Sequence, residues 1–395
     1  MEDRLGRPLR DLRISVIDEC NFRCTYCMPR ELFAEGHPFL APSALLSFDE
    51  IETVVRIGAR LGVNKVKITG GEPLLRPGVH RLIERLNNIR GIEDVGLITN
   101  GYHLPRLAGW LRAAGLKRIT ISLDSARPET FAKIADRSTG LDQVIAGIDR
   151  AKECGFAPIK LNMVVQRGVN DAEVVEMARF ARDRGLELRY IEYMDVGRRH
   201  DFRDSLLVPN REIRDTLDAE FGLEPLEPDF YGEVAQAYRY KDTGYAPGGE
   251  RVGFISSMTV PFCGSCTRLR LSADGKMYRC LFSGLGLDIR KLLRRGVVEL
   301  PGEAGRDTVS SGRPVRTVPE NRPAGTEGTD ARSSETPDGK PVEGSKSAPV
   351  EEQLESALRK FWGVREDRYS ELRAGGDISP DSEQENRVEM YRMGG

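Results

Sequence analysis

The first half of the chain alternates short runs of β-branched residues with longer stretches of amphipathic character. The short runs predict strands at Arg13–Ile17, Lys65–Thr69, Val95–Thr99, Arg118–Leu123, Ile159–Val165 and Leu188–Tyr193. Between them, apolar residues recur at helical spacing. In the clearest stretch, 48–61, Ile51, Val54, Val55, Gly58 and Leu61 share one face, the stripe a helix needs to pack on a sheet. Ser47 and Glu50 supply a capping box at its start, and Gly62 supplies a stop. Another helix is predicted from Leu141 to Cys154. Strand-then-helix alternation implies a parallel sheet with right-handed crossovers. Six strands fall short of the eight that close a barrel, so the expected fold class is α/β, an open, partial (β/α)6 TIM-type barrel.

Beyond about residue 230 the alternation stops. From Pro301 to Val350 there is no aromatic residue, leucine, isoleucine or cysteine. Such a segment cannot bury enough apolar surface to offset its ordering entropy, and it is predicted to be a disordered insertion. Order is expected to resume near Glu351, where Leu354, Leu358, Phe361 and Trp362 form a helical stripe. The expected organisation is a barrel over 1–230, a C-terminal region over 231–300 and 351–395, and the insertion between its two parts.

Composition narrows the function. A 39% hydrophobic content and a formal net charge of −2 describe a soluble globular protein without global attraction to nucleic acid or membranes. The charged start, Met1-Glu2-Asp3-Arg4, lacks the apolar core of a signal peptide, and no apolar run approaches the roughly 18 residues that span a bilayer. Six of seven cysteines fall in two triplets, unlike a disulfide framework, and thiolate clusters of this kind point to a reducing cytoplasm. The seventh, Cys154, reads as a small buried side chain.

Chemistry gathers at the carboxyl ends of the predicted strands, where barrel enzymes build their active sites. Cys20, Cys24 and Cys27 follow strand one with the spacing Cys-x3-Cys-x2-Cys, and Gly70-Gly71-Glu72-Pro73 follows strand two. Thr99-Asn100-Gly101 follows strand three, Ser122 and Asp124 end strand four, and Glu192 and Met194 end strand six. Three thiolates can hold three irons of a [4Fe–4S] cube and leave the fourth open to a small molecule. Structural zinc is the alternative and would need a fourth ligand such as His37. With Tyr26 before the last cysteine, this loop resembles that of the radical S-adenosylmethionine enzymes, in which the open iron chelates the methionine moiety of S-adenosylmethionine.

A second triplet, Cys263, Cys266 and Cys280, spans an Asp274-Gly275 turn signal. A two-residue turn there would set Cys280 opposite Leu269 and gather the three thiols into one site, with a zinc knuckle as the alternative. Arg268 and Arg270 lie two apart on the strand between and point to one face, as paired forks suit a polyanion such as a triphosphate. Lys65 and Lys67 alternate on strand two, and Lys160 and Asn162 on strand five. Lysines at inward positions imply an anion in the lumen, because an unpaired buried ammonium is costly.

Together these residues resemble the GTP 3′,8-cyclase family of molybdenum cofactor (molybdopterin) biosynthesis. The resemblance covers 7–300 and 351–395. It rests on Leu12–Val16, Gly70–Pro73, Tyr190–Asp195, Phe262–Arg270, Asp367–Ser370 and the terminal Gly394-Gly395. It implies two [4Fe–4S] clusters, on Cys20, Cys24 and Cys27 and on Cys263, Cys266 and Cys280. It implies S-adenosylmethionine contacts at Tyr26, Gly71, Ser122 and Met194. GTP contacts fall on Arg13, Lys67, Thr99, Lys160, Arg268 and Arg270, the last two also catalytic with the first three cysteines. Lys67 stands where an arginine is frequent. Ile98-Thr99 stands where two threonines are frequent, so the contact falls on Thr99 or a neighbour. The implied reaction abstracts hydrogen from the ribose C3′ and closes that carbon onto guanine C8, giving (8S)-3′,8-cyclo-7,8-dihydroguanosine 5′-triphosphate. The implied partners are GTP, a reducing electron donor and cyclic pyranopterin monophosphate synthase as product acceptor; a homodimer is left open. The alternatives are a peptide-modifying radical enzyme with an auxiliary cluster and a zinc-stabilised binding module.

Overall fold

The computed structural model describes residues 1–34, 36–194, 196, 204–295, 349–375, 388 and 390–393. The insertion expected over 301–350, but for Pro349 and Val350, and the terminal Gly394-Gly395 lie outside the described residues. Strands β1 (Asp11–Ser15), β2 (Lys65–Thr69), β3 (Asp94–Thr99), β4 (Arg118–Ser122), β5 (Ile159–Val165) and β6 (Glu187–Glu192) lie side by side in chain order, all parallel. The strand β1 begins two residues earlier than the sequence pattern suggests. Its register on β2, Asp11 opposite Lys65 and Ser15 opposite Thr69, carries it through polar Asp11 and releases Val16-Ile17 toward the cysteine loop.

The C-terminal strands are β7 (Leu223–Pro225), β8 (Gln236–Tyr240), β9 (Arg251–Ile255), β10 (Arg268–Leu271), β11 (Lys276–Tyr278) and β12 (Leu287–Asp288). Here β10 joins β1 and β9 joins β6, both parallel, so the parallel ladder has eight strands. Beyond them β11 and β12 on one side, and β8 and β7 on the other, continue antiparallel in one open sheet. The sheet is therefore continuous across residue 230. An open barrel leaves two edges of unpaired backbone, and the C-terminal region covers both.

Helices α1 (Phe48–Arg60), α2 (Val79–Asn87), α3 (Leu104–Ala113), α4 (Pro128–Ala135), α5 (Leu141–Glu153), α6 (Val174–Asp183) and α7 (Asn210–Phe221) accompany the strands. The α1 capping box forms as expected: Glu50 amide donates to Ser47 Oγ (3.1 Å) and Ser47 amide to Glu50 Oε2 (2.6 Å). Its buried stripe joins Leu12, Ile14, Val66 and Ile68 in the main core. After α8 (Arg290–Arg295), helix α9 (Val350–Gly363) packs beside α1, where Glu351 bridges Arg56 (2.8 Å) and Arg60 (2.9 Å). Short helices α10 (Tyr369–Ala374) and α11 (Met390–Met393) complete the described chain.

The β10–β11 hairpin corrects one expectation. Its loop has three residues, Ala273-Asp274-Gly275, closed by Ser272 amide on the Lys276 carbonyl (2.9 Å), with Gly275 at φ +84°. A three-residue turn ending in a left-handed glycine shifts the register by one residue relative to a two-residue turn. Arg270 pairs with Tyr278 and Leu271 with Met277, which brings Cys280 into line with Arg268 rather than Leu269. One residue of slip exchanges the two faces of a strand, so Cys280 shares the face of both arginines.

Candidate active site

The first cysteine loop is held by backbone contacts from neighbouring strand ends. Gly71 amide donates to the Ile17 carbonyl (2.7 Å) and Glu72 amide to that of Glu19 (2.8 Å), just before Cys20. A β-carbon on Gly70 would lie 2.6 Å from the Ile17 oxygen, and one on Gly71 would overlap the Glu19 carbonyl. Only glycine allows this approach. The Glu72 carboxylate then accepts from Thr99 Oγ1 (2.7 Å), Asn100 amide (2.7 Å) and Leu74 amide (3.0 Å), binding the β2 and β3 loops together. On the opposite flank, Arg23 and Thr25 amides donate to Ala135 and Ile134 carbonyls at the end of α4 (3.1 and 3.0 Å). His37 lies between the rings of Phe33 (4.7 Å) and Phe39 (4.9 Å).

Burial pushes the Cys20 thiol up to about 12, with Glu72 adding to the effect. Burial also raises Cys24 well above the usual thiol range, with Cys20, Asp124 and Cys27 beside it. Buried thiols that resist ionisation alone suit a bound metal cluster, whose positive charge stabilises the thiolates. The donor set therefore fits a three-thiolate [4Fe–4S] cluster. Beside Cys24, Tyr26, Ser122, Asn100 and Asp124 line a cleft. Tyr26 Oη donates to Asp124 Oδ2 (2.8 Å) and Val164 amide to Oδ1 (2.8 Å), while burial lifts the Asp124 carboxyl to about 6. Met194 lines a different, larger cavity in the barrel lumen.

That lumen cavity holds the second triplet. Cys263, Cys266 and Cys280 open onto it together with Arg13, Lys67, Arg268 and Arg270. The sheet registers explain the meeting: Arg270 is opposite Arg13, and Arg13 is opposite Lys67. Burial lowers the Arg13 guanidinium to about 10, with Arg268 contributing, and lowers Lys67 well below the usual lysine range, with Arg13, Arg189 and Arg118 contributing. Arg270 is lowered by burial and then by Arg13 and Arg268. Burial works against the Cys266 thiolate, but Arg268 and Arg365 outweigh it and bring the thiol down to about 6. Cys280 goes up to about 12 through burial and then Asp367. Three thiols opening on one cavity, one already favouring its thiolate, fit a second cluster.

Two of the expected nucleotide contacts are placed differently. Thr99 is buried with its hydroxyl on Glu72, and its neighbours Ile98 and Thr120 line the lumen instead. Period-two alternation sends Ile98 and Thr99 to opposite faces. Lys160 pairs with Glu187 (2.9 Å), which also accepts from Arg189 Nε (2.7 Å). The lumen further contains Arg189, Asn162, Arg279 and Arg365. Asn162 Oδ1 is buried there and has no hydrogen-bond partner among the described residues. Arg189 carries the same signal as Lys160, a long cation between apolar neighbours on a barrel strand. Nothing local marks Arg365, which lies ninety-nine residues from the cysteine it touches.

Two family models match successive stretches of the chain. The profile of the Radical SAM superfamily matches residues 14–181, and that of Molybdenum Cofactor Synthesis C matches 186–303. The chain is 44% identical over 374 residues to a GTP 3′,8-cyclase of Acidothermus cellulolyticus, covering 95% of this chain and 89% of that protein. It is 41% identical over 395 residues to a GTP 3′,8-cyclase of Xanthomonas campestris pv. campestris, covering 100% and 97%. Among solved structures, Streptococcus suis SuiB bound to precursor peptide SuiA shares the fold at a TM-score of 0.52 and 13% identity, covering 74% of this chain and 62% of that one.

Proposed function

The chain belongs to the GTP 3′,8-cyclase family of radical S-adenosylmethionine enzymes, and from that membership we propose how its residues divide the work of the reaction. The enzyme uses two [4Fe–4S] clusters and S-adenosylmethionine, and it acts in molybdenum cofactor biosynthesis. When bound, the first cluster and S-adenosylmethionine supply the electron and the carbon radical, and the second cluster supplies an open iron for the guanine.

Cys20, Cys24 and Cys27 hold the first cluster, over a floor set by Gly70-Gly71 and Glu72. Tyr26, Ser122 and Asp124 form the wall against which the adenosyl part of the cofactor rests. Cys263, Cys266 and Cys280 hold the second cluster at the other side of the lumen. Arg13, Lys67, Arg268 and Arg270 hold the triphosphate, joined by Arg189. One observation carries this reading: the second thiol triplet and a crowd of mutually repelling cations share a single cavity. A polyanion relieves that repulsion, and a cluster beside it orients the base. Asn162, with its unpartnered carbonyl in the same space, accepts from the nucleotide. Fixing ribose C3′ and guanine C8 together is the protein's main contribution, since the cofactors carry the radical chemistry.

The work divides between the two cysteine sites, the first generating the radical and the second presenting the nucleotide, with cations from both the barrel strands and β10. The product passes to cyclic pyranopterin monophosphate synthase, and the electron comes from a cytoplasmic reductant. Among the described residues no helix is long and apolar enough to cross a membrane. Anaerobic incubation with GTP, S-adenosylmethionine and a reductant, followed by mass analysis of the nucleotide, tests the reading. Release of deoxyadenosine without any cyclised triphosphate would refute it.

A further inference from the structure

The turn bearing Cys263 and Cys266 is clamped by two buried arginines from opposite ends of the chain. Arg365, just after α9, has a side chain only 2% exposed. Its Nη1 donates to the Cys266 carbonyl (2.8 Å), its Nη2 to the Cys266 sulfur (3.3 Å) and its Nε to Asp367 Oδ2 (3.0 Å). The guanidinium lies 4.6 Å from the Trp362 ring. Arg7 is fully buried, donates to the Cys263 and Asp367 carbonyls (2.9 Å each), and pairs with Asp3 (2.6 Å). At the first site, by contrast, the Cys20 sulfur accepts, among the described residues, from two neutral groups, the Phe22 amide (3.4 Å) and Asn100 Nδ2 (3.9 Å).

We propose that Arg365 is a positioning and tuning residue of the second cluster, fixing Cys266 and raising that cluster's reduction potential. The proposal rests on the reading that Cys263, Cys266 and Cys280 hold a [4Fe–4S] cluster. Taking up one electron adds one negative charge to a cluster and breaks no bond. A guanidinium on a ligating sulfur stabilises the added charge, and hydrogen bonds to sulfur and nearby charge are what set such potentials. Poor solvent screening in a buried site strengthens the effect. Stacking on Trp362 and bonds to Asp367 and the Cys266 backbone hold the donor in place, so the contact persists whether or not nucleotide occupies the lumen. Arg268 and Arg270 line the same lumen as Arg365, and its bonds to Cys266 and Asp367 are what tie Arg365 to the cysteine turn.

The experiment uses full-length, anaerobically reconstituted protein as wild type, Arg365→Gln and Arg365→Lys. Iron and sulfide are counted first, then both clusters are titrated with dithionite and redox mediators and followed by electron paramagnetic resonance. Iron for one cube alone in the wild type would refute the two-cluster assignment itself, apart from any role of Arg365. With both cubes present, the second-cluster signal of Arg365→Gln should move to lower potential while the first-cluster signal stays fixed, and Arg365→Lys should retain most of the wild-type value. An unchanged second-cluster potential in Arg365→Gln overturns the proposal. Selective loss of second-cluster iron in Arg365→Gln, prevented in Arg365→Lys, upholds it through the anchoring role. Loss in both variants, or failure of both to fold, assigns Arg365 to packing against Trp362 and overturns it.

Discussion

The two cysteine sites carry the same number of thiols and are built in opposite ways. The first is set in place by backbone: glycines that touch the cysteine loop, and Glu72 gathering two donors from the end of β3 and one from its own loop. Glu72 and Asp124 help burial to keep Cys20 and Cys24 protonated, and they outweigh the cation beside Cys20, Arg23, whose Nη1 donates to the Cys20 carbonyl (2.6 Å). The second is set by arginine side chains, and Arg268 and Arg365 pull Cys266 down to about 6 against its burial. An acidic, backbone-made site suits a cluster that must give its electron away. A cationic site suits a cluster that shares its cavity with a polyanion. The shared count of three thiols would not have told them apart; their charge environments do.

The sharpest way to break this contrast is to remove one thiol from each side. Cys24→Ala should abolish S-adenosylmethionine cleavage altogether. Cys266→Ala should keep much uncoupled cleavage and lose cyclisation. Deoxyadenosine and cyclised nucleotide measured side by side decide it, and full GTP turnover in Cys266→Ala would mean that the second site does not hold substrate.

The next largest effect comes from the backbone floor. Gly71→Ala places a methyl group against the Glu19 carbonyl, and overpacking of this kind costs roughly 1–3 kcal/mol. We expect loss of first-cluster iron and of deoxyadenosine production while second-cluster iron remains. Equal loss from both sites would show that the loop is coupled to the whole fold and not to its own cluster.

The contrast also explains what could be read from the sequence. The parallel strands, the α1 capping box and the rim position of the first site all follow from patterns within about twenty residues. Interactions that local are visible to periodicity and turn chemistry. The hairpin register depended on whether Asp274-Gly275 made a two- or a three-residue turn, which the residue types leave open, and the slip moved Cys280 by one position. The choice between Thr99 and a neighbour was open for a similar reason: neighbouring residues on a strand face opposite sides, and Glu72, twenty-seven residues back, accepts from the Thr99 hydroxyl. The arginine clamp of the second site was invisible, because Arg7 and Arg365 meet the cysteine turn across 256 and 99 residues. No local pattern encodes such a meeting. The outermost strands of the parallel ladder, β9 and β10, belong with it, since they join only after the chain has left the six-stranded run.

Within the cationic side, Arg270 and Lys67 should differ in size of effect. Arg270→Ala removes a forked donor from a buried site, and a charged hydrogen bond lost there costs roughly 1.5–3 kcal/mol, about ten- to a hundredfold in product formation. Deoxyadenosine release should fall much less. A wild-type ratio of the two products would leave Arg270 as a structural residue.

Lys67 gives the smallest effect and the most direct test of charge crowding. Among the described residues no carboxylate lies within ion-pairing distance of it, and burial, then Arg13, Arg189 and Arg118, hold its ammonium well below the ordinary lysine value of 10.5. A lysine whose folded value is depressed binds its proton more weakly in the native state than in the unfolded chain. Its contribution to stability therefore rises with pH between the folded value and 10.5, and below that window the full penalty of a buried charge is present. Lys67→Met removes the penalty, and the nucleotide-free protein should melt higher near neutral pH, by roughly 2 °C. The same change should weaken GTP binding about tenfold, the low end for a lost charged contact, because a lysine is a point charge without a fork. A bound triphosphate favours the protonated ammonium, so wild-type binding should tighten as pH falls through the depressed value, and Lys67→Met should lose that part of the dependence. Calorimetry in buffers of different ionisation enthalpy reads the proton uptake directly. A lower melting temperature with unchanged affinity would mean that Lys67 supports the sheet and leaves the anion to the arginines.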